Sequence, residues 1–226
     1  MNKTYELMVF DWDGTLMDSE ARIVACMQRA AAQAGMPVPG NAAARDVIGL
    51  GLTEAVQRLF PDADMPAVTA LVEAYRMHWL GDQVVAAPMF AGASELIEGL
   101  YDAGVLLAVA TGKSRRGLDK ALDESGLGRF FHATRCADEA FSKPHPQMLE
   151  DILTDLGTAA GRAVMVGDTE YDMQMARNAG VAAVAVSHGV HAPARLLANG
   201  ATACFDDLFQ LSDWLHGAVA VDVNGV

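Results

Sequence analysis

The chain has 226 residues, 52% of them hydrophobic and 20% charged, so it can bury a sizeable core and is too apolar for intrinsic disorder. A formal net charge of −13 argues against a nucleic-acid backbone as partner, because phosphate binding relies on Lys and Arg; an anionic small molecule fits only where a few basic residues converge. The three cysteines, Cys26, Cys136 and Cys204, are far apart with no Cys-x-x-Cys pair, which suggests neither a disulfide framework nor a zinc site and makes a reduced, cytoplasmic setting the default.

The first apolar run, Leu7-Met-Val-Phe10, is too short for a signal-peptide core, and the longest later one, Val105–Ala110, is strand-length, so no membrane is involved and a soluble protein is expected. In chain order, strands are predicted at Glu6–Phe10, Val105–Ala110, Ala133–Cys136, Ala163–Val166, Ala182–Val186 and Ala203–Phe205. Helical patterns fall between them near 92–103, 114–125, 146–157, 170–179 and 192–198. This alternation indicates βαβ units: an α/β fold with a doubly wound parallel sheet, in which ligands bind beyond the carboxyl ends of the strands. One interval breaks it. From about Ser19 to Ala86 the patterning is helical only, at Ala21–Ala34, Leu52–Phe60 and Ala67–Leu80, and reads as a small helical domain inserted after the first strand. Pro88 and Gly92 mark the return to the core, and the tail after Trp214 carries no assignable pattern.

Each predicted strand ends in polar residues. The first runs into Asp11-Trp-Asp13-Gly-Thr15, the second into Thr111-Gly112-Lys113-Ser114, the third across a loop into Ser142-Lys143-Pro144, and the fourth into Gly167-Asp168-Thr-Glu-Tyr-Asp172. A parallel sheet brings all four clusters to one rim. Asp11 and Asp13, two apart on a strand, would face the same side and repel unless a cation, a shared proton or a turn separates them. These groups suit phosphoryl transfer. Mg²⁺ takes carboxylate and carbonyl oxygens, here from Asp11, Asp168 and the Asp13 carbonyl, while binding substrate phosphate. A carboxylate can attack phosphorus, Asp13 is suited to passing a proton to the leaving alkoxide and then taking one from water, and Thr111, the amide next to it and Lys143 suit the phosphoryl oxygens.

The four motifs resemble those of the haloacid dehalogenase superfamily, in its phosphatase branch with a helical cap. Asp11-x-Asp13-Gly-Thr15 is similar to the first motif, Thr111 to the second, Lys143 to the third and Gly167-Asp168-x-x-x-Asp172 to the fourth, in the same order over roughly residues 5 to 215. The resemblance implies a Rossmann-like core of residues 1–17 and 87–226 and an all-helical cap of residues 18–86. It implies Asp11 as nucleophile, Asp13 as acid/base, Thr111, Gly112 and Lys143 on the phosphoryl group, and Mg²⁺ held by Asp11, Asp13, Asp168 and Asp172. "DGTLMDS", "VATGKS", "SKPHPQML" and "VGDTEYDM" are similar to the phosphoglycolate phosphatase-like subgroup, which implies a small phosphorylated metabolite as substrate; the sequence does not give the oligomeric state, for which a monomer is the default and a dimer open.

Competing readings fail on single positions. An EF-hand needs glycine where Leu16 stands; a P-loop needs glycine where Leu107 stands; and Gly49-Leu-Gly51 lacks the third glycine of a dinucleotide fingerprint. An Asp13-Gly14 hairpin would need a second strand where the pattern turns helical. Thr169-x-x-Asp172 has the form of a capping box, which leaves Asp172 either a cap alone or also a partner of Lys143 or of metal-bound water. Within the superfamily, Asp13 argues against carbon–halogen hydrolysis, and the absence of lysine from residue 4 to 112 argues against phosphonate cleavage by a cap lysine. Sugar-phosphate mutases share Asp13, but simple hydrolysis is the preferred reading; a non-catalytic phosphometabolite-binding protein is the alternative of another class. Arg45 and the Gly49–Gly51 turn are candidates for substrate selection.

Overall fold

A computed structural model describes residues 5–81 and 87–218. The expected segment boundary at residue 86, the first four residues and the tail beyond 218 lie outside the described residues. Six strands, β1 (Leu7–Phe10), β2 (Leu106–Thr111), β3 (Ala133–Cys136), β4 (Ala163–Gly167), β5 (Ala182–Val186) and β6 (Cys204–Phe205), form one all-parallel sheet in the order β3-β2-β1-β4-β5-β6. The order reverses between β1 and β4, so the crevice beyond their carboxyl ends is the topological switch point at which such sheets hold ligands.

Side chains alternate across the sheet, and each face has its own helical layer. Met8, Phe10, Leu107, Val109, Val164 and Val184 pack under α5 (Ala93–Asp102), α6 (Arg115–Ser125) and α10 (Leu208–Ala218). Leu7, Val9, Ala108, Met165 and Ala183 pack under α7 (Gln147–Leu156), α8 (Glu170–Asn178) and α9 (Pro193–Ala198). Both faces are covered, which is why the strands read as continuous apolar runs. Helix α10 was not expected, yet Leu208, Leu211 and Leu215 are buried at helical spacing against the first face.

The segment after β1 is helical: α1 (Glu20–Gln33), α2 (Asn41–Asp46), α3 (Leu52–Leu59) and α4 (Met65–Leu80). These helices enclose a core of their own, with Met27, Ala30 and Ala31 of α1 against Val56 of α3 and Val68, Leu71 and Val72 of α4. Asp64 caps α4, its carboxylate accepting from the Ala67 amide, which starts the helix two residues before the expected Ala67. The two crossings between layers pair with each other. The Asp18 amide donates to the Pro88 carbonyl at 2.8 Å, and the Phe90 amide to the Leu16 carbonyl at 2.9 Å. Among the described residues no helix is long and apolar enough to cross a membrane.

Candidate active site

The β1 strand ends at Phe10, and the chain at once enters a tight turn through Gly14, whose φ of 83° is open to glycine and strained for other residues. A Cβ on Gly14 would lie 2.2 Å from Asp168 Oδ2, so glycine also lets the β4 aspartate approach the turn. The turn sends the first two aspartates to different partners. Asp11 Oδ1 lies 2.8 Å from Lys143 Nζ and accepts from the Trp12 amide at 2.7 Å; Asp13 Oδ1 lies 2.8 Å from Lys113 Nζ and accepts from the Ser19 hydroxyl at 2.5 Å. Each carboxylate therefore has its own lysine, which answers the repulsion that their spacing posed.

Lys143 is buried between Asp11 and Asp172, whose Oδ1 is 2.7 Å from its ammonium. Burial alone would strip its proton, but the two carboxylates outweigh that and hold the amine charged, with its pKa above the ordinary value. Asp172 does both jobs open to it. Its Oδ2 accepts from the Thr169 amide and hydroxyl at 3.1 and 2.7 Å, capping α8, while Oδ1 faces Lys143. Asp168 accepts from the Thr15 hydroxyl and the Val190 amide, each at 2.8 Å.

Asp11, Asp168 and Asp172 are all buried, with one oxygen from each within 4.8 Å of the others. Burial, opposed by Lys143, raises the Asp11 pKa to about 7; burial and the neighbouring carboxylates raise that of Asp168 well above its ordinary value. Two of the three carboxylates share the Lys143 ammonium, Asp168 has no cation partner among the described residues, and Asp11 Oδ2 is buried without a hydrogen-bond partner. An all-oxygen, charge-deficient donor set with an orphaned carboxylate oxygen fits a hard divalent cation. The Asp13 carboxylate stands outside this cluster, turned to Lys113 and Ser19, so any share it has in metal binding falls to its backbone carbonyl.

A cavity of about 520 Å³ opens from these groups toward α1 and α4, with Asp11, Asp13, Thr111 and Gly112 in its lining. The loop between α2 and α3 closes over the rim: the Gly51 amide donates to Ser142 Oγ at 2.8 Å, and Gly49 to Gly51 line the cavity. Arg45, a candidate for substrate selection, pairs with Glu20 at 2.8 Å, donates to the Val190 carbonyl and is not among the residues that line the cavity. Sequence reasoning missed Lys113, the partner of Asp13, although it is one of only four lysines and stands at a strand end beside Thr111. It also missed the cavity walls Tyr75 and Trp79, and a second contact between layers in which Arg195 bridges Glu170 to Asp46 and the Tyr171 hydroxyl donates to the Asp46 carbonyl at 2.7 Å.

A Rossmann-ordered sheet with an aspartate turn at its switch point, a buried lysine and a helical layer over the rim defines a hydrolase of phosphoryl-transfer type. The chain belongs to the haloacid dehalogenase-like hydrolase family, whose family model matches residues 8–186. It is 37% identical over 224 residues to the protein named "Probable phosphatase IndB" of Dickeya dadantii, covering 97% of each chain. It is 31% identical over 217 residues to the phosphoglycolate phosphatase of Rhodospirillum rubrum, covering 92% of this chain and 90% of that one. The fold also matches the crystal structure of a hydrolase from Pseudomonas syringae with a TM-score of 0.83 at 22% identity, over 95% of this chain and all of that one.

Proposed function

We propose that this hydrolase is an Mg²⁺-dependent phosphatase that removes phosphate from a small phosphorylated metabolite through an aspartyl-phosphate on Asp11. The observation that carries the reading is the buried carboxylate cluster of Asp11, Asp168 and Asp172 at the switch point, with Lys143 between Asp11 and Asp172. The names of its relatives, a phosphatase and a phosphoglycolate phosphatase among them, support it.

Asp11 and Asp168 would hold the ion, with Asp172 beside them and the Asp13 carbonyl completing the protein's share. When bound, Mg²⁺ supplies neutralisation of the cluster and withdrawal of charge from the phosphoryl oxygens. Asp11 forms a bond to phosphorus as the ester P–O bond breaks, and Asp13 passes its proton to the departing alkoxide. In the second half Asp13 takes a proton from water, whose oxygen bonds phosphorus as the Asp11–phosphorus link breaks. Thr111, the Gly112 amide and Lys143 bind the phosphoryl oxygens, and the helical layer keeps bulk water out. Phosphate release with and without Mg²⁺, wild type beside Asp11→Asn, tests the reading: turnover that needs both the metal and Asp11 is expected. Binding of phosphate esters without turnover under any divalent metal would overturn it.

A further inference from the structure

The cavity beyond the reacting groups is built for something other than a two-carbon acid. Its volume of about 520 Å³ is that of a site for a drug-sized ligand, of the roughly 300–1,000 Å³ class. Its inner walls are Ile23 and Met27 of α1, Leu50 of the closing loop, and Tyr75 and Trp79 of α4. The two aromatic residues are one helical turn apart and stack with ring centroids 6.1 Å apart and planes 12° from parallel, so they form a stiff aromatic pair in the wall.

Charge in the cavity points the same way. In phosphoglycolate the carboxylate is only one carbon beyond the ester-bearing carbon, and it would sit deep among these residues. The inner cation there is Lys113, already 2.8 Å from Asp13 with its ammonium 4.4 Å from the Trp79 ring centre. Arg22 is engaged with Trp79, its guanidinium 4.2 Å from the ring centre and donating to the Trp79 carbonyl at 2.8 Å, and the arginines of the lining, Arg76 and Arg116, are exposed. A second anionic group near the phosphorus would have to draw Lys113 from Asp13 or reach out to the exposed arginines, whereas an apolar group would be favoured by burial.

We infer that the alcohol released by this enzyme carries an apolar or aromatic ring, and that Tyr75 and Trp79 with Ile23 and Met27 select it over two-carbon acids. This rests on the phosphatase reading and narrows its substrate class. A family of esters with similar alkoxide leaving groups tests it: ethyl phosphate, phosphoglycolate and 2-phenylethyl phosphate, with acetyl phosphate as a measure of the chemistry alone, all on the full chain with Mg²⁺. The expected kcat/KM for 2-phenylethyl phosphate exceeds that for ethyl phosphate and for phosphoglycolate by about tenfold or more, the scale of one buried ring. Trp79→Leu and, separately, Tyr75→Leu lower the ratio of 2-phenylethyl to ethyl phosphate, and circular dichroism shows each variant folded. Equal values for the three esters, or a preference for phosphoglycolate, overturn the inference while leaving the phosphatase intact; the latter would give Lys113 the carboxylate. No turnover of any of the four compounds overturns the phosphatase reading itself.

Discussion

Lys113 and Asp13 form an ion pair of 2.8 Å at the floor of the cavity, parallel to the pair that Lys143 makes with Asp11 at the same distance. The two lysines are 30 residues apart in sequence, one just after β2 and the other in the loop between β3 and α7, yet they divide two neighbouring aspartates between them. Asp13 is thereby held toward the cavity, with Ser19 as its second anchor.

Removing that anchor is expected to misplace the proton donor without removing it. Lys113→Met lowers kcat by about tenfold to hundredfold, less than the full worth of a general acid–base group. The loss is larger for an alkyl phosphate than for 4-nitrophenyl phosphate, whose leaving group needs no proton. Steady-state kinetics on the two esters decide; an equal loss on both would mean that Lys113 binds phosphate instead of positioning Asp13.

The carboxylate cluster makes metal removal a stability experiment. An ion bound only by the folded chain stabilises it by about 2.7 kcal/mol at a hundred times its Kd, or roughly 5–10 °C in Tm for a chain of this size. Chelation is expected to lower Tm by that amount relative to saturating Mg²⁺. Asp168→Asn abolishes the Mg²⁺-dependent rise, and its metal-free Tm does not fall, because the substitution removes one of the like charges that crowd Asp11. Differential scanning calorimetry with and without Mg²⁺ reads both effects; a Tm rise of full size in Asp168→Asn would remove that residue from the metal site.

His191 supplies a pH dependence of folding. Burial first, and then the Arg195 charge, push its pKa below the ordinary 6.5, against the opposing pull of Asp46, Glu170 and Asp172. Its Nδ1 accepts from the Glu170 amide at 3.0 Å, a bond that only the neutral ring makes this way. The unfolded chain therefore takes up this proton first as pH falls through 6.5, so the stability contribution is full above that pH and declines below it. Denaturant titrations at pH 7.5 and 5.5 are expected to show a fall that His191→Gln reduces; an unchanged slope in the variant assigns the fall to other groups.

The parts legible in the sequence are those in which one local pattern suffices. Strands β1, β4 and β5 are covered on both faces and read as unbroken apolar runs, and the four polar clusters follow once the sheet is taken as parallel. Helix α2 escaped notice because six residues, Asn41–Asp46, are too few to show a 3.6-residue period. Helix α10 did carry its signal in Leu208, Leu211 and Leu215. The pairing of Lys113 with Asp13, the place of Arg45 and the Tyr75–Trp79 wall were not readable, since each depends on how a turn or helix of one layer meets the rim of the other.

The meeting of those layers can be tested at Gly112. A Cβ there would lie 2.4 Å from the Leu50 carbonyl oxygen and 2.8 Å from that of Gly49, both backbone atoms of the closing loop. Backbone conformation does not demand glycine at this position, for its φ is not positive, so the close approach alone accounts for the residue. Gly112→Ala is thus expected to fold with a Tm within a few degrees of wild type and to hold the loop off the rim. Water then reaches the reacting groups and the ester is poorly placed, which lowers kcat/KM by about a hundredfold, the cost of an ångström-scale misplacement. Kinetics and Tm measured on the same preparation separate the outcomes: full activity in a folded variant would mean that the closed loop is not the catalytic arrangement.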